Sequence, residues 1–183
     1  MIVIGGEAVT IIDVLRRANA DVIVASVEDE LQVTASRGVK LVAGQRIADC
    51  VAEKDTNTAP YDLIALPGGM PGAEHLRDSE ALTTLLKQQQ QEGRLYAAIC
   101  AAHMVVLQHH GLLAGRRATC HPAFAEQLEN DEAVEQRVVV DGLCITSRGP
   151  GTALEFALKL VELLYDIQKS QEIGTHMLFN VCL

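Results

Sequence analysis

The sequence lacks the features that mark several common protein classes. Tryptophan is absent and aromatic residues make up 3% of the 183 residues, which leaves little to stack on nucleic-acid bases. The formal net charge of −9, without a compact run of lysine or arginine, argues against nucleic acid as a stable partner. No apolar stretch approaches the ~18 residues that a membrane span needs, so we expect no membrane partner. The amino terminus has no basic-then-apolar signal pattern, and a cytoplasmic location is expected.

The cysteines also lack a pairing pattern. There is no C-x-x-C motif and no Cys/His spacing typical of a zinc site. Free thiols in an odd number fit a cytoplasmic protein better than a disulfide framework. We predict that His75, His109 and His110 are solvated surface residues rather than metal ligands. The five cysteines are Cys50, Cys100, Cys120, Cys144 and Cys182.

Strand and helix patterns alternate along the chain, which predicts an α/β fold with a mostly parallel sheet and helices on both faces. Thr152 and Glu155 have the spacing of a capping box before the last clear helix. The predicted elements are a helix over 7–18, a strand over 21–27, a marginal hairpin over 32–41, a loop over 53–60, a strand over 63–66, a helix over 79–91, a strand over 95–99, a helix that stops near Gly111, a hairpin over 138–147 that turns at Asp141-Gly142, and that last helix.

Cys100 lies between the predicted strand over 95–99 and the helix that follows it. A cysteine at such a junction sits on a sharp turn beside a helix N-terminus, where unpaired N–H groups favour the thiolate. The same geometry underlies the serine nucleophile elbow of α/β hydrolases, although this chain has no G-x-S-x-G motif. The alternative is a buried structural cysteine, as most intracellular cysteines are.

A second strand, over 63–66, ends at Pro67-Gly68-Gly69. In parallel sheets ligands bind at the carboxyl ends of the strands, where both this turn and Cys100 fall. A glycine N–H can approach a ligand closely, and together with the N–H of Ala101 it is suited to hold an oxyanion. An ordinary turn leading into a loop is the alternative.

Four segments resemble, in order and spacing, the ThiJ/PfpI superfamily, in the branch of the Parkinsonism-associated deglycase and its bacterial relatives. They are EAVTIIDVLRR (7–17), YDLIALPGG (61–69), AAICAA (97–102) and TSRGPGT (146–152). The resemblance covers nearly the whole chain. It implies one ThiJ/PfpI domain over 1–183, with a flavodoxin-like or Rossmann-like three-layer sandwich of the class I glutamine amidotransferase type. It also implies a homodimer.

The resemblance assigns roles to individual residues. Cys100 matches the reactive elbow cysteine, and Glu7 matches a glutamate whose carboxyl group hydrogen-bonds that sulfur. A protonated carboxyl group lowers the thiol pKa by donating to the thiolate, whereas an ionised one raises it by repulsion. His121 matches a histidine near the sulfur and is the expected proton carrier, because imidazole titrates near neutrality. Gly69 and Ala101 match the backbone N–H donors.

Three further positions bear on the predicted site. Arg37 matches an arginine contributed across the dimer interface. His103 stands where close relatives usually place proline, and its side chain is predicted to line or plug the pocket. The segment 1–4 reaches Glu7 through only Gly5-Gly6, which is shorter than the strand and loop of the family.

The resemblance implies a cysteine-dependent glyoxalase or deglycase that acts on methylglyoxal, glyoxal and their early adducts on proteins, with a role in carbonyl and oxidative stress protection. Thiolate addition and proton transfer suffice for this chemistry, so neither a metal nor an organic cofactor is expected. One alternative is a peroxide-sensing redox switch or holdase chaperone that works through oxidation of Cys100. Another is a Cys-His peptidase, although the branches with that activity place histidine directly after the nucleophile, where this chain has Ala101.

Overall fold

The structure is a computed structural model that describes residues 2–3, 7–52 and 61–179. Within this part of the chain a seven-stranded sheet has the order β5-β2-β1-β6-β7-β9-β8, and β3 and β4 form a separate antiparallel pair. All neighbours in the large sheet are parallel except β8 and β9. The strands are β1 (Ile2–Val3), β2 (Val24–Ser26), β3 (Gln32–Thr34), β4 (Lys40–Val42), β5 (Gln45–Arg46), β6 (Leu63–Leu66), β7 (Leu95–Ile99), β8 (Val138–Asp141) and β9 (Cys144–Ser147).

Helices cover both faces of the large sheet. The α-helices are α1 (Ala8–Arg17), α2 (Ile47–Ala52), α3 (Gly72–Asp78), α4 (Glu80–Gln91), α5 (Ala153–Leu164) and α6 (Ile167–His176). A π-helix spans His103–Gln108, and short 3-10 helices span Pro122–Gln127 and Pro150–Thr152. One core joins α1, α5 and α6 to one sheet face, and the other core joins α2, α3, α4 and the π-helix to the opposite face. The predicted α/β sandwich is confirmed.

The central strands are apolar along their whole length, rather than at alternate positions, because both of their faces are covered. In β6, Leu63 and Ala65 join the core under α1 and α5, whereas Ile64 and Leu66 join the core under α4. Since successive side chains point to opposite faces, a strand covered on both sides needs apolar residues at every position. This central position of β6 and β7 places their carboxyl ends next to each other, at the edge where the predicted site lies.

Most element predictions are confirmed, and two differ in their hydrogen bonding. The hairpin of β8 and β9 turns at Gly142, whose φ of 59° lies in the left-handed region. The helix after Cys100 is present but is a π-helix, with a bond from His109 N to Met104 O across five residues. The capping box is wrong, because Glu155 binds the Arg137 side chain and the Thr152 hydroxyl caps nothing in α5.

Two other predictions lie outside the described residues, namely the loop over 53–60 and the fifth cysteine, Cys182. The four cysteines in the described part are all free thiols. Among the helices of that part, none has the length and apolar character that crossing a bilayer requires.

Candidate active site

Cys100 occupies a strained turn at the carboxyl end of β7. Its φ of 64° lies in the left-handed region, which a non-glycine residue seldom adopts and which costs conformational energy. Its backbone N–H donates to Ser147 O at 3.0 Å, a bond that ties the turn to the end of β9. The strand, the turn and the following helix therefore hold the half-buried thiol over the edge of the sheet.

The neighbouring turn after β6 approaches Cys100 so closely that only glycine fits there. A Cβ atom built on Gly68 would lie 2.5 Å from Cys100 Cβ, 2.8 Å from Ile99 O and 2.9 Å from Ala101 N. Sequence reasoning selected Gly69 and missed this role of Gly68. Two consecutive glycines at the end of a central strand, beside another turn at the same edge, are the signal that points to such contact.

Glu7 lies directly before α1 and faces this pair of turns. Its side chain is buried, with 7% of the residue exposed, and its Oε2 accepts a hydrogen bond from Gly68 N at 2.9 Å. The carboxyl group also interacts with the Cys100 sulfur. The short strand β1 still pairs with β2 and β6, through Ile2 opposite Val24 and Ala65. Glu7 thus lies beside the cysteine.

Two opposing influences set the ionisation of Cys100. Burial, and then the negative charge of Glu7, raise the pKa of the thiol to about 11. The backbone N–H groups of Ala101 and Gly69 act in the opposite direction, because they donate to the sulfur and stabilise the thiolate. With Glu7 ionised, the expectation of a lowered pKa is therefore not met.

His121 faces the same space from the other side. Its Nδ1 accepts a hydrogen bond from Ala123 N at 3.2 Å, so the neutral ring carries its proton on Nε2. A Cβ atom built on Gly149 would lie 3.5 Å from His121 Cδ2, the atom next to Nε2, and 4.0 Å from Cys100 Sγ. Gly149 is therefore next to both the imidazole and the sulfur, and its lack of a side chain leaves a gap beside them.

These groups line a cavity of about 690 Å³. This volume exceeds what a three-carbon aldehyde fills and falls in the range of sites that hold larger ligands. Its rim includes the exposed side chain of Met70 and the half-buried Phe124. The predicted site residues on its wall are Glu7, Arg37, Gly69, Cys100, Ala101 and His121.

Of the two residues predicted for the pocket or the dimer contact, one lines the cavity and the other does not. Arg37 lines the cavity of its own chain; its reach across a dimer interface, and the homodimer itself, stay predictions. His103 is completely buried and is not part of the cavity wall, so it neither lines nor plugs the pocket. It is the first residue of the π-helix and is buried together with Met104, Val106 and Leu107.

The other histidines take part in local contacts. His75 Nδ1 lies 3.0 Å from Glu28 Oε1, and His110 Nε2 lies 2.9 Å from Arg77 O. Within residues 7–52 and 61–179, no group of three or more His, Cys, Asp or Glu side chains is arranged to hold a metal ion. The arrangement at Cys100 can supply a nucleophile, proton-transfer groups and oxyanion donors from the protein itself.

Comparison with known proteins finds a family model and several relatives that match this chain. The profile of the DJ-1/PfpI family matches residues 5–163. The chain is 50% identical over 168 residues to Protein DJ-1 homolog B of Arabidopsis thaliana, covering 92% of this chain and 37% of that protein. It thus spans less than half of that plant relative. It is 37% identical over 169 residues to the glutathione-independent glyoxalase DJR-1.2 of Caenorhabditis elegans, covering 91% of this chain and 86% of the relative.

Solved structures agree with this relationship. The structure named Toxoplasma gondii DJ-1, oxidized, superposes with a TM-score of 0.90 at 48% identity, covering 97% of this chain and 96% of that one. Drosophila melanogaster DJ-1beta superposes with a TM-score of 0.89 at 36% identity, covering 98% and 96% of the two chains.

Proposed function

Because the chain belongs to the DJ-1/PfpI family, we propose that it is a cysteine-dependent glyoxalase or deglycase. Its substrates are methylglyoxal, glyoxal and their early adducts on proteins, and its role is protection against carbonyl and oxidative stress. The observation that carries this proposal is the meeting of the Glu7 carboxyl group and the Cys100 sulfur at one wall of an open cavity. The glyoxalase name of the relative DJR-1.2 supports it.

The first step is addition of sulfur to the aldehyde. The Cys100 proton moves to Glu7, and the resulting thiolate attacks the aldehyde carbon to form a hemithioacetal. The N–H groups of Gly69 and Ala101 stabilise the negative charge that develops during attack. Because Glu7 Oε2 already accepts from Gly68, Oε1 is the oxygen that takes the proton.

The second step is an internal oxidation and reduction of the bound substrate. The former aldehyde carbon loses a proton, and the adjacent carbonyl carbon gains one through an enediol, which gives a 2-hydroxy thioester. Glu7 and His121 carry these protons, and the neutral His121 ring, whose Nδ1 accepts from Ala123 N, holds its proton on Nε2. Water then hydrolyses the thioester and releases lactate from methylglyoxal or glycolate from glyoxal.

Cys100→Ser tests the proposal directly. We expect wild-type protein to convert methylglyoxal to lactate without added glutathione, and the variant to lose this activity by a factor of about 100 or more. Cys144→Ala is the matched control, because that cysteine is buried away from the cavity and should leave turnover unchanged. Lactate formation at the wild-type rate by homogeneous Cys100→Ser protein would contradict the proposal.

Redox sensing is the second candidate function. The related Toxoplasma gondii structure bears the word oxidized in its name, and a carboxyl group beside a thiol can hydrogen-bond a cysteine sulfinate. Mass spectrometry after mild peroxide treatment tests this function. Selective addition of two oxygens at Cys100, weakened in Glu7→Ala, is the expected result, and equal oxidation of all cysteines would contradict it.

A further inference from the structure

Two buried hydroxyl groups hold the turn that forms one wall of the cavity. Ser147 Oγ lies 2.9 Å from Arg137 O and 2.7 Å from Thr152 Oγ1. Thr152 Oγ1 lies 3.1 Å from the backbone N and 2.9 Å from the backbone O of Gly149. Ser147 is completely buried and Thr152 is 5% exposed. Hydrogen bonds shielded from water in this way constrain the backbone strongly.

This turn touches the reacting groups at both ends. At one end, Ser147 O accepts the backbone N–H of Cys100 at 3.0 Å. At the other end, Gly149 lies next to the ring edge of His121 and near the Cys100 sulfur. A displacement of the turn would therefore change the separation between the nucleophile and the imidazole.

The protons of the two hydroxyls define how the turn is held. Two hydroxyl protons serve three oxygen–oxygen contacts, to Arg137 O, between the hydroxyls and to Gly149 O. When Ser147 donates to Thr152, Thr152 donates to Gly149 O and accepts from Gly149 N–H. Both backbone polar groups of Gly149 are then held by the same hydroxyl. The Thr152 hydroxyl therefore holds Gly149 together with the backbone N–H of Thr152, which donates to Gly149 O at 2.9 Å.

We propose that Thr152 and Ser147 are positioning residues of the active site. Their hydroxyls hold Gly149 in the position that leaves the gap beside Cys100 Sγ and the His121 ring open. They touch neither substrate nor sulfur with their side chains and act through the backbone of the turn. The effect on turnover rests on the proposed function, whereas the effect on Cys100 reactivity does not.

The test compares Thr152→Val, which removes only the hydroxyl, with Thr152→Ser, which keeps it. Alkylation of Cys100 by iodoacetamide, followed on its peptide by mass spectrometry, reports the site without requiring turnover. We expect Thr152→Val to change the alkylation rate by about fivefold and to lower kcat for methylglyoxal about tenfold, with KM within about twofold. Thr152→Ser should restore both values. Thr175→Val is the control, since it removes an exposed hydroxyl bonded to Gln171 O.

A second pair keeps the test valid if Thr152→Val does not fold. Ser147→Ala and Ser170→Ala each remove a buried hydroxyl that is bonded to a backbone carbonyl, and Ser170 binds Leu158 O at 2.8 Å. Both variants should lose similar thermal stability, but only Ser147→Ala should alter alkylation of Cys100.

Gly149→Ala tests the gap itself while both hydroxyls remain. Its φ of 168° is extended backbone that alanine adopts, and the added methyl group would make ordinary contacts at 3.5 and 4.0 Å. We expect a folded protein whose kcat falls about tenfold or more, because the methyl group occupies the gap.

Several outcomes would overturn the proposal. One is wild-type alkylation in folded Thr152→Val or Ser147→Ala; another is failure of Thr152→Ser to restore the wild-type values. Wild-type alkylation and turnover in folded Gly149→Ala would overturn the role of the gap. If the wild-type protein does not consume methylglyoxal, the proposed function fails, and the alkylation rates still decide whether the hydroxyls position the site.

Discussion

Glu7 Oε2 accepts a hydrogen bond from the backbone N–H of Gly68 at 2.9 Å, across 61 positions of the sequence. This bond orients the carboxyl group and reserves one oxygen for the backbone. The other oxygen remains for a proton shared with the Cys100 sulfur. A single buried contact between the residue before α1 and the turn after β6 therefore orients the Glu7 carboxyl group toward the Cys100 sulfur.

Glu7→Gln removes the charge and the transferable proton but keeps an oxygen that can accept from Gly68. Burial, and then the negative charge of Glu7, raise the pKa of Cys100 to about 11, so we expect the variant without that charge to have a lower thiol pKa. Turnover of methylglyoxal should nevertheless fall by about 100-fold or more, since an amide cannot carry the proton. Thiolate absorbance across pH and lactate formation measure the two effects.

Glu80→Gln, in the first turn of α4, is the control for a lost carboxylate. It should change neither the pKa of the Cys100 thiol nor the turnover of methylglyoxal. An unchanged thiol pKa in Glu7→Gln would contradict the electrostatic coupling. Unchanged turnover would contradict the role of Glu7 in proton transfer.

The sequence predicts what local patterns determine and misses what long-range contacts decide. The uniformly apolar runs of β6 and β7 identify buried parallel strands, so the edge that carries Cys100 follows from pattern alone. The π-helix over 103–108 does not follow from the sequence pattern, because its apolar residues also fit an ordinary α-helix. The wider spacing of its backbone hydrogen bonds becomes visible only in the structure.

The wrong capping box and the raised pKa of Cys100 both result from partners that the local sequence pattern does not identify. Thr152 has the spacing of a helix cap, yet its hydroxyl binds Gly149 and Ser147 instead, and these partners come together only in the folded chain. The pKa of Cys100 likewise depends on a residue near the start of the chain and on burial. Neither the partners of the Thr152 hydroxyl nor the pKa of Cys100 can be predicted from the residues that flank each of them.

Gly68→Ala should disrupt the site through backbone contact. The added Cβ would lie under 3.0 Å from Cys100 Cβ, Ile99 O and Ala101 N, so the two turns must move apart. We expect a loss of roughly 2 kcal/mol or more in the free energy of unfolding and a large loss of Cys100 alkylation. Gly72→Ala at the start of α3 is the control, because its Cβ meets no atom within 4 Å. Wild-type stability and alkylation in Gly68→Ala would contradict this account.

His103→Leu should stabilise the protein. The ring is completely buried, and neither of its nitrogens has a hydrogen-bond partner among the residues that the structure describes. Since an unsatisfied buried polar group costs about 1–3 kcal/mol, its replacement by an apolar side chain should raise Tm by about 2–12 °C at pH 7. Calorimetry measures this shift, with the exposed His176→Leu as the control. A lower Tm in His103→Leu would contradict it.

The same histidine should make the fold sensitive to acid. Burial, and then the proximity of His121, lower the pKa of His103 from 6.5 to about 3. As pH falls below 6.5, the unfolded chain takes up a proton at this position that the folded chain refuses, so stability decreases down to about pH 3. His103→Leu should lose less stability than the wild type between these pH values. Parallel acid curves for the two proteins would contradict the assignment.

Cys144 should make the fold sensitive to alkali. Burial raises the pKa of its thiol from 9.0 to about 12. Above pH 9 the unfolded chain therefore loses a proton that the folded chain keeps, and stability falls as pH rises toward 12. Cys144→Ala removes this difference, so its unfolding free energy should fall less steeply than that of the wild type between pH 8 and 11. The comparison uses slopes, because the lost sulfur also leaves a small cavity that lowers stability equally at every pH. Equal slopes would show that the Cys144 thiol ionises in the folded protein as readily as in the unfolded chain.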